Sequence, residues 1–141
     1  MADFDEEYEA EMSVRLACPP ERVWAALTVA DEPAAWYRPA ELAPQAFSEP
    51  VVGGRFRVGS TVSQAGFSGE YLVLDMPCRI EQTWRWDGEA RESRVRIGLV
   101  ADGDSTEVRV VHGRLDAATA EACRQGWVSC LSRLPAHLAR G

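Results

Sequence analysis

The side chain best suited to acid–base chemistry in this sequence is His112. An imidazole has its unperturbed pKa near neutrality, so modest changes of environment move its proton. Thr106, Val108, Val110 and His112 share one face of an alternating segment, which turns the ring inward. There it could act as a general base or anchor a ligand. It could equally be a core histidine with both nitrogens satisfied, and this simpler reading is preferred. His137, near the chain end, reads as a surface residue. Glu70, Asp75 and Glu81 could pair as carboxylates for acid–base work. Strand parity puts Glu81 outward and Glu70 on one face with Leu72 and Leu74, so a solvated sheet surface suits them better.

Other chemistries lack their residues. Ser129 and Ser132 fall on a helix, without the glycine-flanked elbow of a nucleophilic serine. Val52-Gly53-Gly54 leads into a strand and not a helix, so it is no phosphate loop. Cys18, Cys78, Cys123 and Cys130 form no C-x-x-C pair and no zinc spacing, and there are two histidines. No metal and no cofactor are therefore expected, and the cysteines read as reduced structural thiols. All 15 basic residues are arginine, which removes Schiff-base chemistry. The expected catalytic set is empty, with His112 the residue that would serve if the protein were an enzyme.

The 141 residues suffice for one domain, read as 1–141 with an acidic, frayed lead-in over 1–7. The apolar share of 46% supports a packed core. The net charge of −7 argues against nucleic acid and against an anionic membrane surface. No apolar run reaches the roughly 20 residues of a membrane span, and the N-terminus has no signal-like pattern. A soluble, cytoplasmic protein is expected.

Tyr8, Ala10, Met12, Val14 and Leu16 alternate with polar residues, as in a half-buried strand. Cys18-Pro19-Pro20-Glu21 then opens a helix whose stripe is Val23, Trp24 and Leu27. A second short helix is expected at Pro33–Tyr37, and a short edge strand within 39–53. A meander follows: a strand around Phe56 and Val58, one from about Gly66 to Leu74, and one ending at Trp86. Asp87-Gly88 and Asp102-Gly103 then turn the chain into two further strands. Asp116 caps a final helix, where Cys123, Trp127, Cys130, Leu131, Leu134 and Leu138 fall on one face and Pro135 kinks the last turn.

These elements predict an α+β fold: a curved antiparallel sheet of about six to seven strands around a long C-terminal helix, with two short helices after the first strand. One helix cannot fill the hollow of such a sheet, so large side chains or a cavity must.

Five stretches resemble the START-like, or SRPBCC, helix-grip superfamily, in its branch similar to activators of a heat-shock chaperone ATPase. They are Pro20–Thr28, Trp36-Tyr37-Arg38-Pro39, Val52–Arg57, Gly69–Trp84, and Thr106–His112 with Gly126-Trp127 and Leu131–Leu134. Tyr37-Arg38 departs from the usual tryptophan and glycine. The resemblance implies the helix-grip fold and relatives that include lipid carriers, polyketide cyclases and chaperone activators. It also implies that true chaperone activators carry a further domain.

The expected function is non-catalytic binding of a small hydrophobic ligand, lipid or aromatic, between sheet and helix. The expected liners are Trp36, Phe56, Tyr71, Gln82, Trp84, Trp86, His112, Trp127 and Leu131, with Gln82 and His112 orienting the guest. The alternatives are a cyclase or hydrolase using His112, and a chaperone ATPase activator or adaptor. A homodimer and a chaperone partner stay open.

Overall fold

A computed structural model describes residues 8–29, 36, 44–60, 66–89 and 91–139. The acidic lead-in, the expected second helix apart from Trp36, and Tyr37-Arg38-Pro39 lie outside the described residues.

The elements run β1 (Tyr8–Leu16), α1 (Pro20–Thr28), β2 (Pro44–Ser48), β3 (Arg55–Ser60), β4 (Gly66–Asp75), β5 (Arg79–Trp86), β6 (Ser93–Asp102), β7 (Ser105–Leu115) and α2 (Ala117–Ala139). The seven strands form one sheet in the order β1-β7-β6-β5-β4-β3-β2, and the pairings are antiparallel. The meander supplies six neighbours in sequence order, and β1 closes onto β7 at the far edge. Asp87-Gly88 and Asp102-Gly103 make the expected turns, with Gly88 at φ 84 and Gly103 at φ 62, where a Cβ would be strained.

Alternation decides which face each strand buries. Ile80, Gln82 and Trp84 of β5, and Val95, Ile97 and Leu99 of β6, are buried, as are Thr106, Val108, Val110 and His112 of β7. Arg79, Arg85, Arg96, Glu107 and Arg109 are exposed. Thr83 has the outward parity yet is buried, because its hydroxyl accepts the Glu70 N–H at 2.9 Å.

The parity expected for β4 fails partway along the strand. Tyr71 pairs with Gln82 but Val73 with Glu81, so a bulge falls between them. An extra residue in one strand shifts every later side chain to the other face. Tyr71 therefore points inward, and so does Leu74, which packs on the core. Glu70 does not share a face with Leu74, contrary to simple counting.

Helix α1 buries Val23, Trp24, Ala26, Leu27 and Thr28. Helix α2 starts where Asp116 Oδ1 accepts the Thr119 N–H at 2.8 Å, and runs through Pro135 to Ala139. Its buried stripe is Ala120, Cys123, Trp127, Cys130, Leu131 and Leu134, the expected face. The helix packs chiefly against β1, with further contacts to β7 and α1. The β4–β5 side of the concave face is left to aromatic rings.

Candidate functional site

The hollow of the sheet is filled near its centre. Phe67 stacks on Trp84, with ring centroids 3.9 Å apart and planes at 16°. Phe56 packs against Tyr71 at 5.3 Å and Trp84 at 6.0 Å. Trp127 of α2 closes on Trp84 from above at 5.3 Å.

His112 lies inside this cluster, fully buried. The Trp127 indole N–H donates to its Nδ1 at 3.0 Å. An indole nitrogen can only donate, so Nδ1 must carry a lone pair. The ring proton of the neutral form therefore sits on Nε2, 2.7 Å from Ser93 Oγ. Ser93 accepts that proton and donates its own to the Trp84 carbonyl at 3.0 Å. The Trp127 indole N–H, both His112 nitrogens, the Ser93 hydroxyl and the Trp84 carbonyl are each engaged in this chain, as buried polar groups require. Desolvation pushes the His112 pKa down to about 4. With Nδ1 occupied and Nε2 protonated, this ring offers a substrate no base, so the geometry is that of a core histidine.

Space remains on one flank. A cleft of about 410 Å³ opens between α2 and the β4–β5 side of the sheet. Phe67, Trp84 and Trp86 form its floor. Thr119, Ala122, Cys123, Gly126 and Trp127 supply most of the helical wall, and Ser129, Cys130 and Arg133 continue it. Trp86 packs edge-on against Phe67 and Trp84, at 5.4 and 5.7 Å. Burial pushes the Cys123 thiol up to about 11, with the Asp116 carboxylate adding to the effect. A thiol so far from ionisation is a small apolar wall and a poor nucleophile.

Three of the expected liners, Trp84, Trp86 and Trp127, meet at this cleft. The other six, Trp36, Phe56, Tyr71, Gln82, His112 and Leu131, are buried but are not among its lining residues. Trp36 is tied to α1, its ring N–H donating to the Ala26 carbonyl at 2.9 Å. Tyr71 shares a 2.8 Å hydrogen bond with Ser48, and burial raises its phenol pKa. Phe67 and the helical residues Thr119, Ala122, Cys123, Gly126, Ser129, Cys130 and Arg133 line the cleft without being among the expected liners. Cys123 and Cys130 were visible on the inward stripe of α2, and Phe67 has the strand parity of Tyr71. Arg133 flanks that stripe at its edge, where sequence spacing does not distinguish a cleft from solvent. Among the described residues, no three His, Cys, Asp or Glu side chains converge as metal ligands would.

The wrapped sheet and the gripped helix define a START-like helix-grip domain of the SRPBCC superfamily. Residues 17–139 match the family described as activator of Hsp90 ATPase homolog 1-like protein, and the chain belongs to that family. Protein CV1439 from Chromobacterium violaceum is similar at 26% identity and TM-score 0.76, over 92% of this chain and 96% of that one. An HSP90 activator from Plasmodium falciparum, PFC0360w, is similar at 22% identity and TM-score 0.77, over 93% and 96%. DynU16, from the dynemicin biosynthetic locus, is similar at 20% identity and TM-score 0.79, over 93% of this chain but 47% of its own length. Among curated proteins none matches the chain. No described helix is long and apolar enough to cross a membrane.

Proposed function

We propose that this protein is a non-catalytic binding module that holds a small, mainly apolar molecule in the cleft beside α2. The observation that carries this reading is the cleft itself. About 410 Å³ lies within the range of small-molecule sites, which are mostly apolar with a few polar groups. Three tryptophans and a phenylalanine line it, and removing apolar ligand surface from water contributes roughly 25 cal/mol per Å². The closed His112 network argues against a cyclase or hydrolase built on that residue.

Gly126 provides the test. It lines the cleft, and a Cβ added there meets nothing within 4 Å. Gly126→Leu should place a side chain at the ligand's position while raising helix propensity by up to ~1 kcal/mol. A thermal-shift and native mass-spectrometry screen of lipids and aromatic polyketides should find binders for the native chain. The variant should be more stable and bind them at least tenfold more weakly. If no apolar compound binds the native chain, the reading fails. Equal binding by the variant would move the site elsewhere.

The family match supports a second reading, activation of a chaperone ATPase. Stimulation of Hsp90 ATPase turnover by the purified protein would establish it, and an unchanged rate would remove it.

A further inference from the structure

We infer that two copies of this chain associate through the outer edge of β1, joining their sheets about a two-fold axis at Met12. The two edges of the sheet are built differently. Strand β2 is five residues long and opens on Pro44, two devices that blunt an edge against further pairing. Strand β1 runs nine residues with neither proline nor glycine. The register shift at its Tyr8 end is an extra residue in β7, where Arg114 takes φ 63, so β1 itself stays regular. No charged side chain points inward from it, and among the described residues no further strand pairs with its outer edge. At about 3.4 Å per residue it offers ~30 Å of backbone as a template for another strand.

The outward side chains of β1 select that strand. Glu9, Glu11, Ser13 and Arg15 share the convex face and are exposed. Paired antiparallel with itself about Met12, β1 keeps all nine residues in register. Glu9 then lies opposite Arg15 of the second copy, twice over, and Glu11 lies opposite Ser13. Unlike charges directly opposed favour a cross-strand pair, and like charges oppose it. Moving the axis to Glu11 would set that carboxylate against itself, and moving it to Ser13 would shorten the paired stretch to residues 10–16. Glu9 also accepts from Arg96 at 3.3 Å, and Arg15 pairs with Asp102. The joined sheet therefore carries Arg96 and Glu9 of one copy in line with Arg15 and Asp102 of the other, a row of alternating sign. Exposed ion pairs contribute little each, so the row sets the register and apolar surface supplies the affinity.

That surface lies on the concave side. Met12 and Val14 point inward yet are only half-buried, and Val128 of α2 is 51% exposed. The cleft residues Thr119, Ala122, Gly126 and Arg133 mark the flank of α2 turned toward β4–β5. At about 100° per residue, Val128 falls on the opposite flank, toward β1, against which the helix chiefly packs. The helix leaves the end of β7 that pairs with Tyr8 and runs back alongside β1. Val128 lies ~17 Å along it from Ala117, and Met12 ~14 Å along β1 from Tyr8, so the two are level. The two-fold axis of an antiparallel strand pair stands perpendicular to the sheet. Both helices thus stay on the concave side, and their Val128 flanks meet across the axis in a self-complementary contact. The ligand cleft is on the other flank of α2, so this inference and the binding reading stand or fall separately.

The test is sedimentation equilibrium on the full chain, which should show twice the mass of the chain, with dissociation on dilution through the micromolar range. Glu9→Arg sets like charges against Arg15 across the axis, and Arg15→Glu sets like charges against Glu9. Each should weaken the dimer at least tenfold. Mixed in equal amounts, the two variants should associate again, because both opposed positions of the mixed pair carry unlike charges. Recovery on mixing also shows that each variant is folded. If either melts early, Glu9→Gln and Arg15→Gln, which only remove a charge, should each weaken the dimer several-fold. Val128→Glu, at an exposed helix position, should weaken it at least tenfold. A native chain that stays monomeric throughout the micromolar range overturns the inference. A dimer that withstands both charge reversals overturns it as well, since another surface would then hold it together.

Discussion

Keeping His112 neutral inside the aromatic cluster makes stability depend on pH. In the unfolded chain an ordinary histidine titrates near 6.5, whereas the folded ring titrates near 4. Above pH 6.5 neither state holds the extra proton, and stability is complete. As the pH falls through the interval from 6.5 to 4, the unfolded chain takes up a proton that the folded chain refuses. Stability then drops, by roughly 3 kcal/mol across the whole interval at 1.36 kcal/mol per unit. The urea midpoint should fall measurably between pH 6.5 and 5, a window above the titration of ordinary carboxylates. His112→Gln keeps a group that can donate and accept but does not titrate. It should be less stable at pH 7, by about 1–3 kcal/mol, and lose most of the slope in that window. An equal slope in the variant would mean that the proton is taken up elsewhere.

Within β4, close approach of the backbone is the deciding feature. A Cβ on Gly69 would lie 2.0 Å from the Thr83 carbonyl oxygen and 2.7 Å from the Phe56 ring. The carbonyl belongs to β5 and cannot swing aside. Gly69→Ala should therefore cost about 2–3 kcal/mol in urea unfolding, the upper part of the range for overpacking. A loss under 0.5 kcal/mol would show that the β4–β5 pair yields more readily than its register indicates. The bulge at Tyr71–Val73 explains why Phe67 and Tyr71 line up inward while Leu74 regains that face three residues later. On α2, the polar side of Arg133 and the thiol side of Cys130 come from one helix whose register is set at Asp116.

Among the described residues, one long helix and the short α1 are set against seven strands. Helix α2 rests mainly on β1, so the distant β4–β5 half of the concave face is closed by rings, and incompletely. Surface charge plays little part in this. Arg57–Asp87 at 2.7 Å, Arg96–Glu9 at 3.3 Å and Arg109–Glu107 at 3.8 Å pair off along the outside, where such pairs contribute about 0–1 kcal/mol each. A ligand that binds only the folded state should stabilise the entire domain. At a concentration one hundred times its Kd the gain is about 2.7 kcal/mol. The melting temperature should rise with the logarithm of ligand concentration for the native chain, and for Gly126→Leu the same rise should need at least tenfold more ligand. A rise of equal size in both would place the ligand outside the cleft.

The sequence alone determined the strands, their faces outside the second half of β4, both described helices and the inward stripe of α2, because alternation and helical periodicity are local properties of the chain. The family resemblance was likewise legible in short stretches such as Pro20–Thr28 and Gly126-Trp127. Which aromatics close the centre and which border open space was decided only by tertiary structure. That outcome depends on where α2 settles across the sheet, on a one-residue bulge that reverses parity in β4, and on the seat of Arg133 against the Trp36 carbonyl. Each of these brings together residues far apart in the chain, and no spacing rule along the sequence encodes such a meeting.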